Sequence, residues 1–256
     1  MRRIAAVMLG LWPLMAPAAD PALDKVLECM RANIPPSVRI QSVEITAWDR
    51  TQGERSLRGK LYGTRENQKL RVMVRIEAPS DLSGASYLVR EGEKSDEMYL
   101  YLPSLRKVRR ITGASMDGQL WGTDLSYNDL KQIQNAFTGA NVKLEPPSQL
   151  EGHPVHVISI APRAEDGSRY KGIKASIDQK TCVPLAVEFS DPAGVRKTIT
   201  VKVANVKQTG TRWYAGEAEI RDVRNSTRTR LRVVGLSDGD KLASRYFNPG
   251  TFYLGN

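Results

Sequence analysis

The sequence predicts a mainly β protein with a few helices, an α+β chain built on one large, curled antiparallel sheet. Three observations carry that prediction. Apolar and polar side chains alternate with period two in about eleven separate runs from Val38 onward. Short turn signals divide nearly all of these runs, as a meander requires. Only two segments, after Asp20 and after Ser126, repeat their apolar residues at a helical period. A sheet of that size must close or curl, and an open curled sheet leaves a concave apolar face for the two amphipathic helices to cover.

In chain order, Arg2 and Arg3, the apolar run from Ile4 to Met15 and the small-residue site Ala16-Pro17-Ala18 read as a cleaved secretory signal peptide over residues 1–18, which directs the chain out of the cytoplasm. The run is short for a membrane span, and no later stretch approaches the roughly 20 apolar residues such a helix needs. Residues 19–256 are then expected to form a single domain. No cysteine stands just past the cleavage site to carry a lipid. Asp20 caps a first helix with Pro21 in its first turn; Leu23, Val26, Leu27 and Met30 share one face, and Pro35-Pro36 lies beyond its end. From Val38 the period becomes two, through Val43, Ile45 and Ala47, then Leu57 and Leu61, then Leu70, Val72, Val74 and Ile76, then Tyr87 and Val89. These are half-buried antiparallel strands.

Residues 96–130, DEMYLYLPSLRKVRRITGASMDGQLWGTDLSYNDL, are the most patterned stretch. Met98 to Leu102 is a strand closed by Pro103. Arg106, Lys107, Arg109 and Arg110 put four cations into five positions, and Gly113, Gly118 and Gly122 punctuate a connection. Ser126 and Asp129 have capping-box spacing, so a helix starts near Tyr127, with Tyr127, Leu130, Ile133 and Phe137 along one apolar face. Strand-like runs resume at 155–160, 170–177, 183–189, 195–203, 212–223 and 227–234.

Through Tyr99, Tyr101, Pro103, Arg106, Arg109, Arg110, Gly122, Thr123, Asp124, Ser126, Tyr127, Asp129 and Leu130, this block resembles the LolA-like outer-membrane lipoprotein-sorting proteins of the periplasm, in particular the lipid-exporter-associated subgroup. The resemblance implies a half-barrel covered by helices, with the ligand between sheet and helices. It also implies a periplasmic carrier or chaperone that binds a lipid or acylated lipoprotein in an apolar cavity for transfer toward the outer membrane. Lipid or lipoprotein acyl chains would be its cargo and an inner-membrane lipid exporter its partner. The alternative is a cell-envelope sensor or assembly factor that uses the same sheet to bind a protein partner.

The chain carries a formal charge of +10. Nucleic acid is not the expected partner, because export removes the chain from it and the basic residues are dispersed through strands; an anionic lipid or an acidic partner fits better. Cys29 and Cys182 are the only cysteines. In an oxidising compartment a single disulfide is the default, with two buried thiols as the alternative, and closing so long a loop would contribute at most about 5 kcal/mol.

Catalytic signatures are scarce. His153 and His156 lie three apart in a strand, on opposite faces, which argues against a joint metal site. No G-x-S-x-G elbow or phosphate-cradling glycine loop occurs. Asp124 and Asp129 are the carboxylates to check, although a cap and a helix N-terminus account for both. No catalytic residue, metal or cofactor is expected. The cavity candidates are Ile45, Trp48, Leu61, Val72, Val74, Met98, Leu100, Trp121, Tyr127, Leu130 and Ile133, with Met73, Tyr99 and Tyr101 of the same kind; each would also suit an ordinary core. Arg106, Lys107, Arg109 and Arg110 are candidates for an anionic headgroup or partner, and equally for a charged strand edge that discourages aggregation.

Overall fold

The computed structural model describes residues 20–92, 96–138, 141–162, 168–240 and 243–254; the expected signal peptide, residues 1–18, lies outside them. Helix α1 (Pro21–Ala32) starts where the cap signal puts it. Asp20 accepts a 2.9 Å hydrogen bond from the Ala22 amide, Pro21 opens the first turn, and Leu23, Val26, Leu27 and Met30 are buried. The alternating runs become β1 (Val38–Trp48), β2 (Glu54–Glu66), β3 (Lys69–Ala78), β4 (Ser86–Arg90), β5 (Glu97–Leu102) and β6 (Lys107–Arg110). After α2 (Tyr127–Thr138) come β7 (Val142–Leu150), β8 (His153–Ile160), β9 (Gly172–Asp178), β10 (Pro184–Asp191) and β11 (Gly194–Thr200). A hairpin of β12 (Val206–Thr209) and β13 (Arg212–Ala215) precedes β14 (Glu217–Asp222), β15 (Thr227–Asp240) and the short α3 (Ala243–Tyr246).

Thirteen strands form one sheet in the order β6-β5-β4-β3-β2-β1-β15-β14-β11-β10-β9-β8-β7, and β12 pairs with β13 alone. First and last strands meet in the middle, where Ile45 of β1 stands opposite Leu231 of β15 and Leu57 of β2. The outermost strands, β6 and β7, do not pair with each other, so the sheet is open. Residues 111–141 must therefore carry the chain from one edge to the other. Two contacts of α2 show how far the sheet curls. The Tyr127 ring lies 5.0 Å from that of Tyr87 on β4, whereas Asp129, two residues on, accepts a 2.5 Å hydrogen bond from Tyr170, just ahead of β9. In a flat sheet β4 and β9 would stand eight strand spacings apart, roughly 38 Å, and one helix turn could not touch both.

Strand alternation separates the core into faces. Ile45, Leu57, Val74, Ile76, Tyr87, Val89, Met98 and Leu100 share one face with Ile111, Met116, Leu120, Trp121 and Tyr127 from the crossing segment. In the other half of the sheet, the apolar stripe of α1 packs on Ile158, Ile160, Ile173, Ile177 and Phe189. Behind the first half, Val38, Tyr62, Met73 and Leu88 are covered by Tyr246, Phe247 and Phe252 of the C-terminal segment, and Tyr101 stacks on Tyr253 with centroids 4.3 Å apart. Cys29 of α1 and Cys182 of the β9–β10 turn form the expected disulfide, with Cα atoms 5.8 Å apart. Beside it Asn33 donates to the Thr181 carbonyl and accepts from the Trp213 amide, both at 2.8 Å.

Three expectations change. Residues 212–223 are two strands, because the chain breaks at Gly216, where a Cβ would lie 2.7 Å from Lys207 Cδ and 2.9 Å from the Asn205 carbonyl oxygen. Residues 142–150, where the sequence offers no alternating run, form strand β7, whose Pro146 and Pro147 fall in a bulge between Glu145 and Ser148, which an edge strand tolerates. The buried face of α2 is Tyr127, Asn128, Asp129, Gln132 and Ala136, with Leu130 and Ile133 only half-buried, so the side turned inward is more polar than the helical period implies. No described helix is long and apolar enough to cross a membrane.

Candidate functional site

The segment leading into α2 is shaped by a tight turn. Trp121 and Gly122 both have positive φ, 53° and 77°, and the Thr123 amide donates to the Leu120 carbonyl at 3.1 Å, the pattern of a type I′ turn. Glycine suits the second position, but a tryptophan in the left-handed region is strained. Its indole packs in the apolar cluster, where Trp121 is 8 % exposed.

Polar contacts then fasten α2 to the sheet. The capping box forms as its spacing predicts: the Ser126 amide donates to Asp129 Oδ2 at 2.7 Å and the Asp129 amide to Ser126 Oγ at 3.1 Å. Asp129, 0 % exposed, also accepts at 2.5 Å from Lys197 Nζ of β11, and Lys197 is 5 % exposed. Its other oxygen takes the Tyr170 hydroxyl. Burial, and then the Asp129 charge, push the Tyr170 pKa well up, which keeps that hydroxyl a donor. Asp124 accepts from the hydroxyls of Thr227 and Thr229 on β15, the latter at 2.6 Å, while its amide donates back to Thr229 at 2.9 Å. Gln132 donates to Asn128, Asn128 to Asp117, and Arg169 to the same Asp117 oxygen.

Of the cavity candidates, Ile45, Leu61, Val74, Met98, Leu100, Trp121, Tyr127 and Leu130 come together in one cluster. Val72 lies on the same sheet face through its register with Val89, and Ile133 packs in the neighbouring cluster. Trp48 is not among them. It follows Ala47 and so points to the other face, where the guanidinium of Arg228 lies 4.5 Å and that of Arg230 5.2 Å from its ring. Met73, Tyr99 and Tyr101 likewise belong to the opposite face. Within the α2 cluster, Trp121 Nε1 and the Tyr87 hydroxyl find no hydrogen-bond partner among the described residues, although Tyr87 is 1 % exposed; burial raises its pKa well above the ordinary tyrosine value.

The basic run does not act as one patch. Lys107 and Arg109 stand opposite Leu102 and Leu100, on the side of the α2 cluster; Arg110 stands opposite Tyr99, on the other side, and Arg106 occupies the turn with φ 49°. All four are exposed on or beside the free edge of β6. Two surface pockets lie elsewhere. One of about 460 Å³ is at the β14–β15 turn, and one of about 350 Å³ is lined by Thr64, Arg90 and Phe247 among others. Among the described residues no group of three or more His, Cys, Asp and Glu is placed to hold a metal.

A family model described as “Uncharacterized protein” matches residues 68–252, well over half of the chain. The chain belongs to that family. Its fold is that of the LolA-like lipoprotein-sorting proteins. It is similar to a domain provisionally described as outer-membrane lipoprotein-sorting from Vibrio parahaemolyticus, with a TM-score of 0.77, 22 % identity and coverage of 90 % of this chain and 99 % of that one. A DUF1329 family protein from Desulfovibrio piger gives 0.78 at 18 % identity, covering 90 % and 98 %. A LolA superfamily protein from Nitrosomonas europaea gives 0.67 at 15 % identity, covering 88 % and 97 %. No curated protein matches the chain.

The LolA-like sheet also supplies residues that sequence reasoning missed, namely Lys197, Tyr170, Thr227 and Thr229. Lys197 had one signal: it shares a strand face with Ile199, and a charge on the apolar side of a strand requires a buried partner. That partner is Asp129, 68 positions away and already explained as a cap, so spacing alone could not pair them.

Proposed function

We propose that the chain is an exported periplasmic carrier that binds the acyl chains of a lipid or lipoprotein between the concave sheet face and α2 and passes them toward the outer membrane. In this reading residues 1–18 are the leader, 19–256 form one domain, and α1 and α2 cover a half-barrel. The observation that carries it is the pair of unpaired groups, Trp121 Nε1 and the Tyr87 hydroxyl, in an otherwise apolar cluster. Leaving such a group unpaired costs about 1–3 kcal/mol, which a self-sufficient core avoids, whereas the carbonyl of an acyl ester or amide is an acceptor for either donor. Cargo exchange is then nearly balanced, since the roughly 0.8 kcal/mol gained per buried methylene is similar in bilayer and cavity. Lys107 and Arg109, on the rim of that face, suit an anionic headgroup or an acidic surface on an inner-membrane exporter. The chain acts by binding, without catalysis or cofactor.

The test is lipid content. Protein purified from a bacterial periplasm should carry lipid detectable by mass spectrometry and bind a fluorescent fatty-acyl probe, with affinity reduced about fivefold in Tyr87→Phe or Trp121→Phe. Absence of both co-purified lipid and probe binding sinks the carrier reading.

One observation favours a second reading, a cell-envelope sensor or assembly factor with a protein partner. The α2 cluster is filled by the protein's own side chains, Tyr87 and Trp121 among them. Crosslinking in the periplasm that captures one stable protein partner, together with no lipid transfer between vesicles, would establish it over the first.

A further inference from the structure

We propose a binding site for a phosphate-class oxyanion at the end of the sheet where the β1–β2 and β14–β15 turns lie side by side. The pocket there, about 460 Å³, is walled by Gln52, Arg221, Asp222, Ser226, Thr227 and Arg228. Strand register sets Arg221 directly opposite Arg228. Like charges facing each other across a strand pair destabilise it unless an anion neutralises them. Arg221 is partly neutralised by Glu219 at 2.5 Å. Arg228 has no carboxylate partner among the described residues.

What Arg228 has instead is a platform. Its guanidinium lies on the Trp48 ring at 4.5 Å, and that ring is fixed by Nε1 donating to Glu54 at 3.2 Å. Stacking leaves the N–H donors of a guanidinium directed edgewise, in the planar fork that matches phosphate oxygens. Arg230, 5.2 Å from the same ring, also lacks a carboxylate partner among the described residues and adds to the local positive field. The one carboxylate in the wall does not compete, because Asp222 is turned inward. It accepts from Arg196 at 2.9 Å and from the amides of Arg224 and Asn225 at 3.1 and 3.0 Å.

The geometry therefore combines a held, uncompensated guanidinium, a second cation opposite it, and the hydroxyl of Ser226 and amide of Gln52 as neutral donors. That donor set suits a tetrahedral oxyanion, carried either as free phosphate or as a phosphate headgroup. The proposal does not depend on the carrier reading.

Inorganic phosphate titrated into the whole protein at constant ionic strength, followed by calorimetry, tests the free anion. Vesicles of phosphatidylcholine with and without phosphatidylglycerol test the headgroup. Saturable phosphate binding that falls at least about tenfold in Arg228→Gln and in Arg221→Gln, but not in the exposed Lys25→Gln, supports the site with a free oxyanion as its ligand. Binding only to vesicles containing phosphatidylglycerol, lost in the same two variants, supports it with a headgroup as the source. Arg221 is exposed, so its variant keeps the test decisive if losing the Arg228–Trp48 stack disturbs folding. No saturable binding in either arm, or binding that folded Arg228→Gln and Arg221→Gln proteins retain in full, overturns the proposal.

Discussion

Replacing Lys197 by Met tests whether charge fastens α2 to the sheet. Methionine keeps the apolar stem and removes the ammonium, so Asp129 would retain the Tyr170 hydroxyl and the Ser126 amide and lose its cation. Removing one partner of a buried ion pair costs about 3–5 kcal/mol, because the remaining charge is left uncompensated. The two surviving hydrogen bonds put the expected loss at the lower end, about 3 kcal/mol. For a chain of this size about 2–4 °C accompanies each kcal/mol, so Tm should fall by about 6–12 °C. Urea denaturation with the disulfide intact gives the free energy directly. Adding Asp129→Asn removes both charges and should bring stability back to within about 1 kcal/mol of the parent. Hydrogen exchange should show the loss first in α2. A shift below about 0.5 kcal/mol in Lys197→Met, the size of an ordinary surface substitution, would refute the idea that this pair holds the helix.

Asp124→Ala leaves the Thr227 and Thr229 hydroxyls without their acceptor and should destabilise the protein by about 1–3 kcal/mol, with faster amide exchange around residues 120–130 as the local readout. Tyr170 has a folded-state pKa raised first by burial and then by Asp129, so both folded and unfolded chains hold its proton up to about pH 10 and only the unfolded chain releases it above. Stability should therefore fall as pH rises past about 10, and Tyr170→Phe should flatten that decline in denaturation curves taken across the range. Burial raises Tyr87 and Tyr127 as well, so an ultraviolet titration should count fewer than nine phenolates before the protein unfolds. Cys29→Ser should cost about 2–5 kcal/mol and expose α1 to exchange and proteolysis ahead of the sheet.

Much of the sheet was legible because alternation is a local property. Val43, Ile45 and Ala47, or Val72, Val74 and Ile76, announce one buried face without reference to any other strand. The same rule, applied strictly, already separates Met98 and Leu100 from Tyr99 and Tyr101, so adjacent aromatics in one strand could not all line one cavity. Edges and terminal pieces were harder to read. The prolines of β7 mask its pairing, and the C-terminal Tyr246, Phe247, Phe252 and Tyr253 are short-range noise until the face they cover exists. The polar fastening of α2 was least legible of all. A capping box is a four-residue pattern, but the link from Asp129 to Lys197 depends on which strand the curled sheet brings beneath the helix.

The disulfide makes the two long helices mechanically unequal. Cys29 ties α1 covalently to the β9–β10 turn, and Asn33 adds two hydrogen bonds at the same corner, one of them reaching β13. Helix α2 has no covalent tie; it is held by the apolar packing of Tyr127, Leu130, Ile133 and Ala136 and by ionic and hydrogen-bonded contacts that another charged or polar group can take over. While the bridge is intact, α1 is part of the frame, and in the carrier reading the helix free to swing is α2. Any widening of the concave side is thus one-sided, like a door with a riveted jamb, and begins along the path from Asp124 to Lys197 rather than at the disulfide.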